Sequence, residues 1–187
     1  MSPKPIVIHH TAVSRDKNNN QLIATDNYHK SLKFPKSKKG YYVGYHYFIE
    51  PDGLVVNTRY HNEVGAHTTQ ESMNYLSLGI CLTGDFDKEL PTDKQLASLD
   101  MLLDQLRNEY PNGIEIFPHR HFAKYKTCCG NNFTDQMIKQ LNNPATAIIK
   151  EAKELNSVLW HTMLDMQNKL NEMNTKIRKW EEESKGV

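Results

Sequence analysis

The chain has 187 residues, a formal net charge of +1 and a hydrophobic fraction of 38%. This length predicts one domain with an appendage, and the composition supplies enough apolar side chains for one sizeable core. The balanced charge gives no general attraction to nucleic acid or to a membrane surface. No run reaches the roughly 18 to 20 apolar residues of a membrane span. We therefore expect no nucleic-acid partner and no stable membrane insertion.

The first residues, Met-Ser-Pro-Lys-Pro, lead directly into an apolar run and lack the pattern of a secretory signal peptide. Synthesis in the cytoplasm is therefore expected, even for a substrate that lies elsewhere. The three cysteines, Cys81, Cys128 and Cys129, are odd in number and two are adjacent, which argues against a disulfide framework. Cys81 lies in an apolar run that predicts a core residue. The other two lie among polar and charged residues, where core packing is a poorer explanation.

In chain order, residues 6–8 form an apolar run that predicts a buried strand with His9 at its carboxyl end. Thr25 or Asp26 can cap a short helix that continues to Leu32. The lysine segment follows, and its members are Lys30, Lys33, Lys36, Lys38 and Lys39. Two interpretations stay open for this segment, a solvated loop and an electropositive rim that attracts an acidic polymer.

Residues 42–49 are rich in aromatic and β-branched side chains and predict a strand. The following Pro-Asp-Gly predicts a turn into a second strand over residues 54–58. Residues 64–68 read as a loop, and residues 77–83 as an apolar central strand.

A capping box at Thr92 and Gln95 opens a helix whose leucines recur at helical spacing up to Tyr110. The next Asn-Gly pair ends this helix. Residues 114–117 predict one more short strand, which ends at His119. These elements indicate an α/β fold, in which ligand sites lie at the carboxyl ends of strands.

The character of the chain changes after residue 142, so we expect a domain over residues 1–142 and an extension over residues 143–187. Apolar residues of the extension recur at spacings of three and four, which predicts about four heptads. Three interpretations stay open: a helix packed on the domain, a membrane-surface helix, or a coiled coil. The coiled coil would form a homo-oligomer through residues 149–180. The membrane interpretation is disfavoured because the polar face is not predominantly basic.

Residues 117–130 pack two histidines and two cysteines into one short segment. Catalytic zinc is held by three protein ligands, and nitrogen and thiolate donors suit this ion. His9, His119 and Cys128 supply such a set for one zinc ion per chain. Cys129 can replace Cys128 by the same reasoning, and spacing alone does not choose among the histidines. The competing histidines are His10, His46, His61, His67 and His121.

The chain resembles the zinc-dependent N-acetylmuramoyl-L-alanine amidases of the type-2 amidase and peptidoglycan-recognition-protein superfamily, especially phage endolysins. The matching stretches follow the family's order and cover roughly residues 5–140. They are residues 6–12, 43–49 with 52–53, 64–68, 77–81, 92–106, 118–120 and 126–130.

This resemblance implies a mixed central β-sheet flanked by helices and a zinc ion held by His9, His119 and Cys128. It implies hydrolysis, by zinc-activated water, of the amide between the lactyl group of N-acetylmuramic acid and L-alanine. The family's Cys-Pro-Gly reads Cys-Cys-Gly here, which favours Cys128 as the ligand and keeps Cys129 as the fallback.

The resemblance further implies that Tyr45 orients or helps to deprotonate the water and that Lys126 stabilises the developing oxyanion. It assigns His67 and Thr68 to substrate contact. The expected partner is peptidoglycan, and the expected role is a phage endolysin that reaches the wall through a holin. The alternative is a recognition module that binds peptidoglycan without cleaving it, a state that loss of the cysteine ligand usually marks.

Overall fold

The computed structural model describes residues 5–17, 21–110 and 112–143, together with Met166, Lys169 and Met173. The chain divides into two units, Met1–Asn143 and Pro144–Val187. In the second unit, the three described residues are helical and exposed. The remainder of the predicted heptad helix, and with it the predicted homo-oligomer, lies outside the described residues.

A five-stranded mixed sheet forms the centre of the first unit, in the order β3-β2-β4-β1-β5. The strands are β1 (Ile6–His10), β2 (Tyr47–Ile49), β3 (Val55–Asn57), β4 (Leu78–Leu82) and β5 (Ile116–Pro118). β1 is parallel to both β4 and β5, β2 is parallel to β4, and β3 is the antiparallel edge strand. The expected α/β fold with a mixed central sheet is therefore confirmed.

Within the described part of the chain, five α-helices accompany this sheet. They are α1 (Gln21–Ser31), α2 (Met73–Leu76), α3 (Asp93–Glu109), α4 (His119–Phe122) and α5 (Asp135–Leu141). The predicted capping box opens α3: Thr92 Oγ1 accepts the N–H of Gln95, and Gln95 Oε1 accepts the N–H of Thr92. The buried stripe of α3 is made of Leu99, Leu102, Leu103 and Leu106.

Each face of the sheet packs against a different part of the chain. The larger core joins apolar side chains of the strands to those of α3 and α5, such as Leu103 and Ile138. The smaller core contains Phe48 and Cys81, with Leu22 of α1 packed against it. Cys81 is fully buried, as expected for a core cysteine. Within the described residues, no helix has the length and apolar character to cross a membrane.

Three predicted elements differ from the structure. α1 starts at Gln21, so Asp26 lies inside the helix, where its carboxylate accepts two backbone N–H groups from residues 42 and 43 instead of capping. The strand predicted over residues 42–49 is limited to Tyr47–Ile49, because Gly44 O accepts the N–H of Ala66 from a neighbouring loop. The strand predicted over residues 114–117 is β5, Ile116–Pro118, and His119 is the first residue of the short helix α4 and not the end of a strand.

Candidate metal centre and cleft

Two neighbouring strands deliver His9 and His119 to the same edge of the sheet. β1 and β5 pair in parallel with Ile8 opposite Pro118, so the next residue of each segment is a histidine. Both histidines are buried, and their ring centroids lie 4.5 Å apart. The predicted convergence of the two histidine segments therefore follows from the strand register.

Cys128 completes a group with these two histidines. One ligand atom from each of the three side chains lies within 4.8 Å of the others. Cys128 Sγ is 3.7 Å from His9 Nδ1. Tetrahedral zinc with Zn–N of about 2.0–2.1 Å and Zn–S of about 2.3 Å separates the two atoms by about 3.6 Å. The donors and their spacing therefore fit a zinc ion.

The protonation of this group follows from burial and from nearby charges. Burial lowers the pKa of His9 well below 6.5, and burial with the charge of Lys126 lowers the pKa of His119 to about 4. Both rings are therefore neutral at neutral pH and carry the lone pairs that a metal requires. Burial raises the pKa of the Cys128 thiol to about 11, against the opposing effects of the His10 N–H and Lys126. A bound cation would convert this thiol to the thiolate.

Arg120 holds the loop that carries Cys128. Its guanidinium donates to Gly130 O at 3.1 Å and Phe133 O at 2.9 Å, and it pairs with the Asp135 carboxylate. Its backbone N–H donates to Cys128 O at 2.5 Å. Arg120, which follows the candidate ligand His119, therefore ties the candidate ligand Cys128 to the same short helix.

Cys129 faces another part of the molecule. It is fully buried in the larger core, and burial raises its pKa to about 12. The structure thus brings the sulfur of Cys128, and not that of Cys129, into the group with the two histidines.

The other candidate histidines have different surroundings. His10 and His46 each accept a backbone N–H at Nδ1. His61 lies between a tyrosine hydroxyl and a carboxylate, and the exposed His121 stacks on a neighbouring phenylalanine. Among the described residues, none of these four histidines belongs to the group of possible metal ligands formed by His9, His119 and Cys128.

Tyr45 and Lys126 both line the cleft that contains this group. The Tyr45 ring lies 5.0 Å from the His9 ring. Burial, reinforced by Cys81 and Cys128, raises the pKa of Tyr45 well above 10. Tyr45 is therefore a neutral hydrogen-bond donor at neutral pH. Lys126 is exposed, and its charge lowers the pKa of both His119 and Cys128, which places it beside the metal ligands.

His67 and Thr68 lie against His9, one of the three candidate metal ligands. His67 Nδ1 is 3.1 Å from His9 Nε2, and Thr68 Oγ1 is 3.4 Å from the same nitrogen. His67 also lines the cleft, whereas Thr68 is 1% exposed. The substrate contact expected for these two residues stays a prediction.

The cleft has a volume of about 490 Å³. Several of its lining residues had no predicted role, because only the fold brings them to this edge of the sheet. Among them are His29, Phe34, Asp87 and Tyr125. His29 Nδ1 accepts the N–H of Gly44, so its second ring nitrogen is the one left for other contacts. A lone histidine within a helical stretch carries no sequence signal that separates it from an ordinary surface residue.

The lysine segment borders this cleft through Phe34, which lies within it. The amines of Lys30 and Lys36 lie 5.5 and 5.6 Å from the centroid of the Tyr42 ring. Lys39 lies 4.5 Å from the centroid of the Tyr60 ring. These contacts hold three positive charges of the lysine segment against aromatic rings. That the segment forms an electropositive rim stays a prediction.

A family profile described as N-acetylmuramoyl-L-alanine amidase matches residues 1–131. The chain belongs to this family. The endolysin of Enterobacteria phage K11 is 37% identical over 91 residues, which are 46% of this chain and 58% of that endolysin. Peptidoglycan-recognition protein SC1a of Drosophila melanogaster is 28% identical over 138 residues, 70% of either chain. The solved structure of the N-acetylmuramoyl-L-alanine amidase LysC from Clostridium intestinale URNW superposes with a TM-score of 0.59 at 31% identity, covering 74% of this chain and 84% of LysC.

As a member of this amidase family, the chain has the expected fold, and its His-His-Cys group could hold a metal ion. The resemblance stated from the sequence is thereby confirmed. The relatives include both endolysins and peptidoglycan-recognition proteins. Family membership therefore supports an amidase or a peptidoglycan-binding protein, and the site chemistry is needed to choose between them.

Proposed function

We propose that the chain is a zinc-dependent peptidoglycan hydrolase that cleaves the amide between the lactyl group of N-acetylmuramic acid and L-alanine. The observation that carries the proposal is the group of His9, His119 and Cys128 beside a cleft of about 490 Å³. Similarity to the K11 endolysin and to LysC supports the same activity.

A zinc ion held by His9, His119 and Cys128 would supply Lewis acidity and would activate a water molecule at neutral pH. The remaining roles belong to the chain itself. Tyr45 is half-buried beside His9 and protonated, so it can donate a hydrogen bond that orients the water or the substrate carbonyl. The ammonium of Lys126 attracts the negative charge that develops on the carbonyl oxygen. His67 Nδ1 and Thr68 Oγ1 lie 3.1 and 3.4 Å from His9 Nε2.

The second candidate is a recognition module that binds peptidoglycan without cleaving it. Its support is the similarity to peptidoglycan-recognition protein SC1a over 70% of the chain. The enzyme is favoured because both histidines, the cysteine, Tyr45 and Lys126 are all present and lie around one cleft. Binding of peptidoglycan without cleavage does not require two neutral histidines and a thiol at a spacing that fits a metal ion.

The biological role that we propose is a phage endolysin. Its target is the bacterial cell wall, which it would reach after synthesis in the host cytoplasm and release through a holin. The K11 endolysin supports this role.

We also propose that residues 149–180 form a homo-oligomeric coiled coil. Sedimentation of the full chain against residues 1–142 tests that part, and equal monomeric masses would contradict it.

Metal content and wall hydrolysis of the purified full chain test the function. We expect one zinc ion per chain and new amino termini released from peptidoglycan. A chelator should abolish the release and added zinc should restore it. Zinc-loaded protein that sediments with cell walls yet frees no new amino termini would instead identify the binding module.

A further inference from the structure

His9 presents its two ring nitrogens to different partners. Nδ1 lies 3.7 Å from Cys128 Sγ and is the nitrogen that faces the metal group. Nε2 lies 3.1 Å from His67 Nδ1 and 3.4 Å from Thr68 Oγ1. A metal-ligating histidine generally donates its other N–H to an acceptor, which fixes its tautomer and its ring orientation. His67 and Thr68 occupy the position of that acceptor.

The contact between the two imidazoles permits one proton arrangement that suits a metal. A histidine that ligates a metal is the neutral imidazole, and a neutral His67 is the form that can accept a hydrogen bond at Nδ1. Each neutral ring carries a single N–H, and only one of the two facing nitrogens can donate. With the proton on His9 Nε2, Nδ1 keeps its lone pair for the metal. With the donor on His67 instead, the proton of His9 sits on Nδ1 and blocks the ligand position.

The His67 ring lies in a slot that two glycines create. A Cβ placed on Gly65 would lie 2.5 Å from His67 Cδ2, and a Cβ on Gly79 would lie 2.7 Å from the same atom. Such distances are far shorter than any ordinary carbon–carbon contact. The glycines at residues 65 and 79 thus allow the ring to lie beside His9.

The backbone of this loop is fixed as well. Asn74 Oδ1 accepts the N–H of His67 and the N–H of Thr68, each at 2.7 Å. The N–H of Gly65 donates to Asn74 O at 2.8 Å. Both possible acceptors for His9 Nε2 are therefore held by one asparagine, and their positions do not depend on a bound substrate.

We propose that His67 is a positioning residue for the metal ligand His9. His67 Nδ1 accepts a hydrogen bond from the N–H at His9 Nε2, and this keeps His9 Nδ1 unprotonated and available to zinc. The inference rests on the zinc site of the proposed function and adds the residue that prepares it. It differs from substrate contact, because His67 Nδ1 is engaged with His9. His67 Nε2 is buried and has no hydrogen-bond partner among the described residues.

Zinc affinity of the full chain, measured by competition with a chromophoric chelator, tests this role. His67→Phe retains the ring in its slot but removes the acceptor, and it should weaken zinc binding about 10- to 100-fold. His67→Asn places an amide oxygen near the position of Nδ1 and should restore most of the affinity. His121→Phe, at an exposed histidine outside the metal group, is the matched control and should bind zinc like the wild type.

A second readout needs neither zinc nor a stable variant. Long-range ¹H–¹⁵N spectra of the metal-free wild-type chain should show His9 protonated at Nε2. In His67→Phe the Nδ1–H tautomer should become populated. A wild-type His9 protonated at Nδ1 would overturn the proposal, even if His67→Phe does not fold.

Zinc binding by the wild type and by His67→Phe distinguishes failure of the positioning role from failure of the proposed function. Wild-type zinc binding with an unchanged affinity in His67→Phe would overturn the positioning role and leave the proposed function intact. If that variant also bound muropeptide more weakly, substrate contact would be the correct role. A wild-type chain that binds no zinc would overturn the proposed function and the positioning role together.

Discussion

Replacement of Arg120 by methionine should loosen the loop that carries Cys128. The guanidinium is 20% exposed and donates to Gly130 O and Phe133 O at 3.1 and 2.9 Å. Methionine retains most of the apolar stem and removes every donor. The backbone hydrogen bond from residue 120 to Cys128 O then remains, without the side-chain contacts, to attach the loop to α4, which begins with the other candidate ligand, His119.

The hydrogen bonds from Arg120 to Gly130 O and Phe133 O set the size of the expected loss of stability. Hydrogen bonds to charged groups contribute about 1.5–3 kcal/mol each, and partial exposure reduces that value. The ion pair with Asp135, whose side chain is 77% exposed, adds at most about 1 kcal/mol. We therefore expect Arg120→Met to lower the free energy of unfolding by about 2–4 kcal/mol. We also expect zinc to bind about tenfold more weakly, as for other groups that orient metal ligands.

Urea unfolding of the metal-free chain and chelator competition measure the two effects separately. The control is Arg107→Met, because Arg107 is 23% exposed, pairs with Asp104 and donates to Leu141 O, far from the metal ligands in the fold. It should lower stability by about 1–2 kcal/mol and leave zinc affinity unchanged. A folded Arg120→Met chain with wild-type zinc affinity would refute the link between Arg120 and the ligand loop.

Cys128→Ser should abolish zinc retention, whereas Cys129→Ser should retain zinc and lose about 1–3 kcal/mol of stability, because it buries a hydroxyl in the core; the reverse pattern of zinc retention would reassign the ligand. The pKa of His29 is about 4 in the folded chain because burial disfavours its charged form, against 6.5 in the unfolded chain. The unfolded chain therefore binds more protons between these values, so stability should fall as the pH is lowered from 6.5 towards 4. His29→Gln should reduce that slope in urea unfolding at several pH values, and an unchanged slope would contradict the assignment. Charge removal from the lysine segment should weaken wall binding at low salt and reduce its salt dependence in a pull-down assay, and equal binding would contradict the electropositive rim. The test pair is Lys30→Gln with Lys36→Gln, and the control pair is Lys94→Gln with Lys139→Gln.

Local patterns predicted the parts of the fold that local physics determines. The apolar run before His9 became β1, since a strand buried on both faces needs a continuous apolar sequence. The capping box at Thr92 forms at the start of α3, because the Thr92 and Gln95 side chains each accept the backbone N–H of the other residue. The start of α1 was wrong because Asp26 finds its backbone partners in a distant loop, and no local pattern reports such a contact.

The candidate site could be predicted from the sequence where the residue types themselves indicate metal binding. His9, His119 and Cys128 were chosen by chemistry and resemblance, and the structure places their ligand atoms together. The surrounding contacts were not predictable in the same way. The hydrogen bond between His67 and His9 spans 58 residues and depends on the close approach of glycine backbones. Tertiary packing of this kind leaves no periodicity in the sequence.

The proposed reaction is tested most directly by hydrolysis of peptidoglycan in ¹⁸O-labelled water, followed by mass spectrometry of the products. The wild-type chain with zinc should release peptides with an unlabelled L-alanine amino terminus and should place one ¹⁸O atom in the lactyl carboxylate of N-acetylmuramic acid. Zinc-loaded protein that leaves this amide intact, or that introduces the label at another bond, would contradict the proposed function.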